Sequence, residues 1–263
     1  MQNFLKHIDK IKKRISNKEN IILLFDFDGT LSPIVEHPDD AVLPEKWRKY
    51  LTELDSKANL KIGIVTGRAY SDVEKRLGLE DVLIAANHGC EIWKAGKQIF
   101  KKGDEHKVDI DRFGRLVDEE FANIAGLIIE KKDYSIAVHY RMVKSSLQDA
   151  VIDAFIRISE ELIDDNRFEI MRGKKLLEIR PKDFWDKGKA VTWISENYAP
   201  DSYICYFGDD VTDEDAFKAV GNKGLTVMVG QCTGSFAEYY IDEIEDAKIL
   251  FDYLLSRPEK SKR

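Results

Sequence analysis

Residues 21–30 read IILLFDFDGT. The five apolar residues are too few for a typical helix and suit a strand that is buried on both faces of a parallel sheet. Asp26 and Asp28 follow directly, two residues apart, where this strand ends, and Gly29 permits a tight turn. The stretch therefore predicts a central strand whose carboxyl end carries an acidic site.

Short apolar runs recur along the chain, and helical patterns separate them. A first helix is expected around Phe4, Ile8, Ile11 and Ile15, which recur at helical spacing. We predict further strands at 60–65, 82–86, 203–207 and 225–229, and further helices at 69–77, 187–198, 213–220 and 243–255. Alternating strands and helices indicate an α/β fold, a doubly wound parallel sheet of the Rossmann-like type.

The middle of the chain interrupts this alternation. From about residue 105 to 182, a helix followed by two short strands occurs twice, which predicts an inserted α+β domain with the order αββ–αββ. Its antiparallel sheet is expected to carry helices on one face. We therefore assign residues 1–104 and 183–263 to the core, and residues 105–182 to the insertion.

Polar residues follow three of the predicted core strands. Asp26 and Asp28 end the first, Thr66-Gly67-Arg68 end the second, and GDDVTDED at 208–215 ends the fourth. Ligands of doubly wound folds bind outside the carboxyl ends of the strands, so these turns are expected to converge. In such a site Asp26 can act as a nucleophile that becomes phosphorylated. Asp28 can protonate the leaving oxygen and later activate water.

The acidic stretch at 208–215 indicates a cation. Carboxylates this close repel one another unless a positive charge is present, and Mg²⁺ prefers hard oxygen ligands. Asp26 and Asp209 are the expected direct ligands. Asp213, and with it Asp210, is expected to orient a ligand or a metal-bound water.

Two further residues complete a possible phosphate site. Thr66 offers a hydroxyl and a backbone N–H at a helix N-terminus, which is a suitable anion site. Lys187 opens a helix and could neutralise charge on the nucleophile and the phosphoryl oxygens. Taken singly, an N-terminal cap explains Thr66 and a solvated side chain explains Lys187. The combination with the two acidic motifs favours a functional site.

Composition excludes several classes of protein. The chain has 263 residues, 43% hydrophobic, with a net charge of −7, and an acidic balance argues against a nucleic acid partner. No apolar run approaches the length of a membrane span, and the N-terminus lacks the pattern of a secretory signal. Cys90, Cys205 and Cys232 are scattered, which indicates a reducing, cytoplasmic compartment and no cysteine–zinc site.

The four motifs, in this order, resemble those of the haloacid dehalogenase superfamily of phosphatases. They are DFDGT at 26–30, Thr66, Lys187 and GDDVTD at 208–213, and the insertion resembles the superfamily's C2-type cap. This resemblance implies a Mg²⁺-dependent phosphotransferase that works through phospho-aspartate at Asp26. It also implies that the backbone carbonyl of Asp28 binds the metal.

A narrower resemblance is to the trehalose-6-phosphate phosphatase family. It rests on DFDGTLSPIVEHPDDAVLP at 26–44, VTGRAYSDV at 65–73, NHGCEI at 87–92, SIAVHYR at 135–141, LEIRP at 177–181 and WDKGKAV at 185–191. It implies hydrolysis of trehalose 6-phosphate, with Glu130, Lys132 and Glu178 holding glucose hydroxyls. Strand alternation independently places Glu130 and Lys132 on one face. Phe27 departs from the family, which often has Tyr there, and no fused synthase domain is recognised.

Other candidate residues and other functions stay open. Gly67, Arg68 and His88 are expected to line the substrate site, and Arg141 could reach a phosphate, although a salt bridge within the insertion explains it equally well. The alternatives are another capped sugar phosphatase, acting on sucrose phosphate or a phosphoglycerate glycoside, a catalytically silent sugar-phosphate sensor, or a phosphotransferase or mutase. The expected partner is a small sugar phosphate, and a monomer is favoured.

Overall fold

The computed structural model describes residues 1–35, 37–79, 81–132, 134–164, 166–173, 175–230 and 233–258, so Cys232 lies outside the described residues. The chain divides into two compact units, here called unit 1 and unit 2. Unit 1 comprises residues 1–101 and 185–263, and unit 2 comprises residues 102–184. The predicted boundaries, at 104/105 and 182/183, lie within a few residues of this division.

Unit 1 is built on a nine-stranded sheet with helices between its strands. The strands are β1 (Gln2–Asn3), β2 (Asn20–Phe25), β3 (Leu60–Val65), β4 (Leu83–Ala86), β5 (Glu91–Lys94), β6 (Lys97–Lys101), β11 (Ser202–Gly208), β12 (Leu225–Val229) and β13 (Tyr239–Ile241). Their order across the sheet is β1-β13-β12-β11-β2-β3-β4-β5-β6. The helices are α1 (Ile8–Ser16), α2 (Glu45–Asp55), α3 (Tyr70–Leu77), α6 (Lys187–Trp193), α7 (Glu214–Val220) and α8 (Lys248–Ser256).

The central strand β2 is buried on both faces, as its continuous apolar run predicts. Ile21, Leu23 and Phe25 belong to one hydrophobic cluster, which α1, α2, α3 and α8 help to form. Ile22 and Leu24 point the other way, into a second cluster with residues of α6 and α7. Side chains alternate along a strand, so an uninterrupted apolar run is what a sheet between two layers of helices requires.

The helices begin and end where side-chain chemistry favours it. Asp186 caps α6, accepting a hydrogen bond from the backbone N–H of Lys189 at 2.8 Å. Gly78 ends α3 with a φ of 56°, a left-handed conformation that favours glycine. These caps satisfy backbone groups that a helix leaves without internal partners.

The sheet differs from the prediction at its edges. Strands β5 and β6 are antiparallel to β4 and to each other. They form a hairpin whose two turn residues, Ala95 and Gly96, both have positive φ, and this two-residue turn ending in glycine is a hairpin signal in the sequence. Strands β1 and β13 extend the parallel part of the sheet but are too short to stand out as apolar runs.

Two helices also differ from the prediction. Helix α2 was not predicted, although its buried residues Trp47, Leu51 and Leu54 stand at helical spacing. Helix α1 begins only at Ile8. Phe4 lies before a short 3-10 turn that connects β1 to the helix. Phe4 nevertheless packs fully buried in the same cluster as Ile11 and Ile15. Hydrophobic spacing therefore identified the buried face but not the first residue of the helix.

Unit 2 has the predicted αββ–αββ order. It consists of α4 (Asp104–Phe121), β7 (Ile128–Lys131), β8 (Ile136–His139), α5 (Ser145–Asp164), β9 (Phe168–Gly173) and β10 (Leu176–Pro181). The four strands form an antiparallel sheet in the order β7-β8-β10-β9. One face packs against both helices through Ile136, Val138, Leu177 and Ile179, so the helices lie on one side of the sheet.

No helix of the described residues is both long and apolar enough to cross a membrane.

Candidate active site

Three adjacent parallel strands of unit 1 end in polar residues at one edge of the sheet. Strand β2 lies between β11 and β3 and is parallel to both. Asp26 follows β2, Thr66 follows β3, and Asp209 follows β11. The predicted convergence of these strand ends therefore follows directly from the order and direction of the strands.

A buried lysine joins two of the carboxylates. Lys187 Nζ lies 2.9 Å from Oδ1 of Asp26 and 2.8 Å from Oδ1 of Asp213. The side chains of Lys187 and Asp213 are 2% and 0% exposed, so this is a desolvated charge cluster rather than a surface ion pair. The solvated-surface explanation of Lys187 is therefore wrong.

Asp213 has a full set of protein partners. Its Oδ1 also accepts a hydrogen bond from the hydroxyl of Tyr206 at 2.7 Å. Its Oδ2 accepts from the backbone N–H groups of Asp209 at 3.1 Å and Asp210 at 3.0 Å. This carboxylate therefore orients both Lys187 and the turn that carries Asp209. The contribution of Tyr206 was missed, because a tyrosine in an apolar strand has the sequence signature of a core residue.

Three carboxylates beside Lys187 form a cluster that could hold a small divalent cation. One carboxylate oxygen each from Asp26, Asp209 and Asp213 lie within 4.8 Å of one another. Asp209 is held by the hydroxyl of Thr30, which donates to its Oδ1 at 3.1 Å. Gly29 approaches so closely that a Cβ there would lie 2.0 Å from Oδ2 of Asp209. Hard oxygen donors in this number and arrangement suit Mg²⁺.

Burial raises the cost of charge in this site. It raises the pKa of Asp26 well above its ordinary value, and the adjacent Lys187 opposes that rise. Burial, reinforced by the negative charge of Asp213, raises the pKa of Asp209 to about 6. For Lys187, burial alone would lower the pKa, but Asp26 and Asp213 more than offset it and hold the ammonium charged. A bound cation would favour the ionised carboxylates.

Asp28 lies in a different environment from Asp26. Its side chain is 45% exposed, and both of its oxygens accept from Arg68, through Nε and NH2, at 2.7 Å each. Arg68 also donates to Asp72 at 2.7 Å, one turn along α3. We expected Arg68 to line the substrate site, and the structure brings it to the second aspartate of the motif. Asp72 was missed, although its place four residues after Arg68 is a usual spacing for a helical ion pair.

Thr66, Gly67 and His88 lie together beside the end of β3. Thr66 is 1% exposed, and its Oγ1 accepts from the backbone N–H of Arg68 at 3.2 Å. The backbone N–H of His88 donates to the carbonyl of Thr66 at 2.8 Å. The ring of His88 lies so close to Gly67 that a Cβ at Gly67 would be 2.7 Å from its Cε1.

The loop that carries His88 is strained. Asn87 and His88 have φ values of 50° and 56°, a region that costs a non-glycine residue about 1–2 kcal/mol. Asp210, by contrast, is exposed, and its side chain accepts from the backbone N–H of Val211 at 2.6 Å as a helix cap. Its predicted orienting role remains a prediction.

The polar residues predicted for the insertion also come together, within unit 2. Lys132 Nζ lies 3.5 Å from Oε1 of Glu178 and 3.9 Å from Oε1 of Glu130. Two residues that the sequence did not indicate as ligands complete the cluster. The hydroxyl of Ser135 donates to Glu178 at 2.6 Å, and Nε2 of His139 lies 3.1 Å from Oε2 of Glu130.

Arg141 lies in another part of unit 2. It is exposed and lines a cavity of about 370 Å³ together with Ile128, His139, Met142 and Lys175. Its expected contact with a phosphate remains a prediction.

This chain shares its fold with a solved haloacid dehalogenase-like hydrolase from Bacteroides thetaiotaomicron, with a TM-score of 0.63 at 12% identity, covering 89% of this chain and 98% of that one. The solved C-terminal domain of trehalose-6-phosphate phosphatase from C. albicans has this fold, with a TM-score of 0.72 at 23% identity, covering 94% of this chain and 96% of that one. Residues 24–243 match the sequence profile of the family described as Trehalose-phosphatase. The chain belongs to that family.

Curated relatives agree with this assignment. The chain is 33% identical over 223 residues to "Probable trehalose-phosphate phosphatase D" of Arabidopsis thaliana, which covers 80% of this chain and 59% of that protein. It is 30% identical over 234 residues to "Trehalose-phosphate phosphatase B" of the same plant, covering 84% of this chain and 61% of that protein. The chain thus spans about 60% of the length of these two relatives.

Proposed function

We propose that this chain is a Mg²⁺-dependent phosphatase that hydrolyses trehalose 6-phosphate to trehalose and phosphate through a phospho-aspartate intermediate. The observation that carries this proposal is the buried pair of Asp26 and Lys187, with Nζ 2.9 Å from Oδ1, at the carboxyl end of the central strand beside Asp209. A carboxylate nucleophile, a fixed cation and a second acidic residue at this edge are the parts that phosphoryl transfer requires.

In the first step, an oxygen of Asp26 attacks phosphorus and the bond from phosphorus to the sugar oxygen breaks. The ammonium of Lys187 balances the negative charge that the phosphoryl oxygens gain beside the aspartate. Thr66 lies at the end of β3 and is 1% exposed. Its hydroxyl supplies a neutral hydrogen-bond donor for the same phosphoryl oxygens. Because these groups are fixed by the sheet and by α6, little reorganisation is needed during the reaction.

Asp28 moves the protons. It donates a proton to the departing sugar oxygen, and it then accepts a proton from the water that attacks the phosphorylated Asp26. That second attack breaks the bond between phosphorus and the aspartate oxygen, releases phosphate and restores the carboxylate. Both oxygens of Asp28 bind Arg68 in this structure, so the proposed role requires the 45% exposed side chain to turn from Arg68 toward the leaving oxygen and water.

Asp26, Asp209 and the backbone carbonyl of Asp28 would hold Mg²⁺. When bound, the ion neutralises charge on the phosphoryl group and favours the ionised form of the nucleophile. Thr30 orients Asp209, and Asp213 orients the backbone of the same turn, so the ligand positions are fixed by the protein.

The choice of substrate rests on unit 2 and on the family. Glu130, Lys132 and Glu178 form a cluster of charged groups on the sheet face that carries no helices. Such groups give directional, charge-assisted hydrogen bonds to sugar hydroxyls. The relatives named as trehalose-phosphate phosphatases support the same substrate for this chain.

A substrate panel tests this proposal. We expect phosphate release from trehalose 6-phosphate to exceed that from sucrose 6-phosphate, glucose 6-phosphate and p-nitrophenyl phosphate, and EDTA to abolish all release. Activity on p-nitrophenyl phosphate alone would retain the phosphatase and reject the substrate. Saturable binding without any release in Mg²⁺ would favour a sensor instead.

The role of Asp26 has a direct test. Asp26→Asn keeps the size of the side chain but removes the nucleophilic carboxylate, so we expect kcat to fall by about 1,000-fold or more. The melting temperature should change little, because Lys187 keeps its second partner, Asp213. Asp9→Asn, on the first turn of α1, is the control for loss of a carboxylate elsewhere. Substantial turnover by folded Asp26→Asn would reject the covalent intermediate.

A further inference from the structure

Strand β8 runs between the two carboxylates of the unit 2 cluster. Ala137 is the Cα partner of Glu130 on β7 and of Glu178 on β10. Because side chains alternate along a strand, the neighbours of Ala137 two residues away, Ser135 and His139, lie on the same face as both glutamates. The polar face of β8 is therefore placed to contact one carboxylate from each side.

Each of these two residues binds one glutamate. Ser135 Oγ donates to Oε1 of Glu178 at 2.6 Å, and Nε2 of His139 lies 3.1 Å from Oε2 of Glu130. Lys132 lies between the glutamates and contacts Oε1 of both. Each carboxylate thus contacts the shared ammonium of Lys132 and one further side chain, Ser135 or His139, on either side of Ala137.

The contacts leave a defined acceptor on Glu178. Lys132 and Ser135 both bind Oε1, and the described residues provide no hydrogen bond to Oε2. The two contacts at Oε1 fix the carboxylate group, and with it the direction of Oε2, in a side chain that is 19% exposed. An oxygen that is fixed in direction but lacks a protein donor is suited to accept a ligand hydroxyl.

Fixing these side chains matters for binding. A free glutamate loses rotamer freedom when it binds a ligand, and that loss weakens affinity. A hydrogen bond from Ser135 or His139 orders the carboxylate before the sugar binds. The side-chain entropy is then lost when the protein folds and no longer reduces the affinity for the sugar. Residues that hold ligand-binding groups in this way determine specificity without touching the ligand.

We propose that Ser135 and His139 are positioning residues that set the two carboxylates of unit 2 for sugar hydroxyls. They act on recognition of the sugar part of the substrate and not on the phosphoryl transfer. This inference rests on the proposed function, since it assigns the sugar site of that same reaction.

Steady-state kinetics of substitutions at both positions test the proposal. For Ser135→Ala and for His139→Phe we expect KM for trehalose 6-phosphate to rise about tenfold, the loss that one hydrogen bond to a charged group would cause. The value of kcat should stay within about twofold of the original, because the chemistry of unit 1 is unchanged. Kinetics with p-nitrophenyl phosphate, which has no sugar, should not change.

Conservative variants separate positioning from packing. Ser135→Thr keeps the hydroxyl, and His139→Gln keeps an N–H at a similar reach, so both should recover most of the lost affinity. Glu169→Gln is the matched control, because Glu169 pairs with Arg180 at 2.9 Å on the same face of the same sheet. We expect it to leave KM for both substrates unchanged.

Every outcome decides between the two claims. If the unsubstituted protein does not prefer trehalose 6-phosphate, the proposed substrate fails, and this inference fails with it. If that preference is present but Ser135→Ala and His139→Phe leave KM unchanged, the inference alone is wrong. An equal loss on both substrates, without recovery by Ser135→Thr or His139→Gln, would assign these residues a purely structural role.

Discussion

Asp213 shows how a single buried carboxylate can organise the candidate active site. It accepts hydrogen bonds from Lys187, Tyr206 and the backbone of Asp209 and Asp210, and its side chain is fully buried. A charge in such a place is tolerated only when its oxygens are satisfied. The same bonds that stabilise Asp213 therefore place Lys187 beside Asp26 and shape the acidic turn.

At the scale of one residue, the close approach of Gly29 to Asp209 can be tested by substitution. A Cβ at Gly29 would lie 2.0 Å from Oδ2 of Asp209, so Gly29→Ala must displace that carboxylate. We expect the Mg²⁺ concentration for half-maximal activity to rise about tenfold, equivalent to about 1.4 kcal/mol of lost binding. Activity measured against Mg²⁺ concentration gives the answer.

A matched control separates contact from backbone strain. Gly96 has a similar φ, 71° against 82° at Gly29, but nothing lies within 4 Å of its Cβ position. Gly96→Ala should lower the free energy of unfolding by about 1 kcal/mol, because a non-glycine residue is strained at this positive φ. It should leave the Mg²⁺ dependence unchanged. If Gly29→Ala also left the Mg²⁺ dependence unchanged, the close approach of Gly29 to Asp209 would not matter for Mg²⁺ binding.

At the scale of elements, helix α6 carries the lysine on its first residue. Asp186 caps the helix by accepting from the backbone N–H of Lys189 at 2.8 Å. Lys187 follows the cap directly, so the direction in which its side chain points depends on where the helix begins. Strand β2 supplies Asp26 in the same way, at the residue where its pairing with β11 and β3 ends.

Removing that cap should affect stability and activity together. We expect Asp186→Ala to lower the free energy of unfolding by about 1 kcal/mol, because the helix loses its N-cap. We also expect kcat to fall, because the first residue of the helix, Lys187, is then held less firmly. Asp186→Ser retains a capping oxygen and should restore both. Urea unfolding and steady-state kinetics measure the two effects.

The control addresses the second contact of Asp186. Its carboxylate also lies 3.5 Å from Lys189 Nζ, in an exposed ion pair. Lys189→Ala removes that pair and keeps the cap, so stability should change by less than about 0.5 kcal/mol. A larger loss in Lys189→Ala than in Asp186→Ala would show that the ion pair, and not the cap, holds the helix.

At the scale of the whole molecule, the chain has separate hydrophobic cores. The cluster of unit 2 contains residues of α4, α5 and its own four strands, whereas the two clusters of unit 1 lie on the two faces of the large sheet. Phe113 and Phe155 meet edge to face at the centre of the unit 2 cluster, with ring centroids 5.6 Å apart. Separate cores allow the two units to lose structure independently.

Phe155→Ala tests that independence in the full chain. Phe155 is fully buried, and its truncation should cost about 3–5 kcal/mol. Hydrogen exchange should increase in residues 102–184 and stay unchanged elsewhere. Turnover of trehalose 6-phosphate should fall more than turnover of p-nitrophenyl phosphate.

A second variant probes the other core in the same way. Phe251 is fully buried in a cluster of unit 1, and Phe251→Ala should raise exchange in residues 1–101 and 185–263. It should reduce turnover of both substrates alike. If Phe155→Ala raised exchange throughout the chain, the two units would form one cooperative body.

Much of the fold could be predicted from the sequence, because it depends on local patterns. The apolar run at 21–25 is found as a strand buried on both faces, and the αββ–αββ order of the insertion is confirmed. The edge strands β1 and β13 and the antiparallel hairpin were not predicted. A strand of two or three residues has too few side chains to show a period, and its pairing depends on the rest of the sheet.

The sequence by itself determined which residue types stand at the strand ends: Asp26 and Asp28, Thr66, and Asp209. Spacing along one chain is local, and the carboxyl ends of parallel strands meet by rule. Tertiary structure alone decided the partners: Tyr206 beneath Asp213, Arg68 on Asp28, and Ser135 and His139 on the glutamates of unit 2. These contacts join residues on different elements, and their energies depend on burial and direction, which exist only in the folded chain.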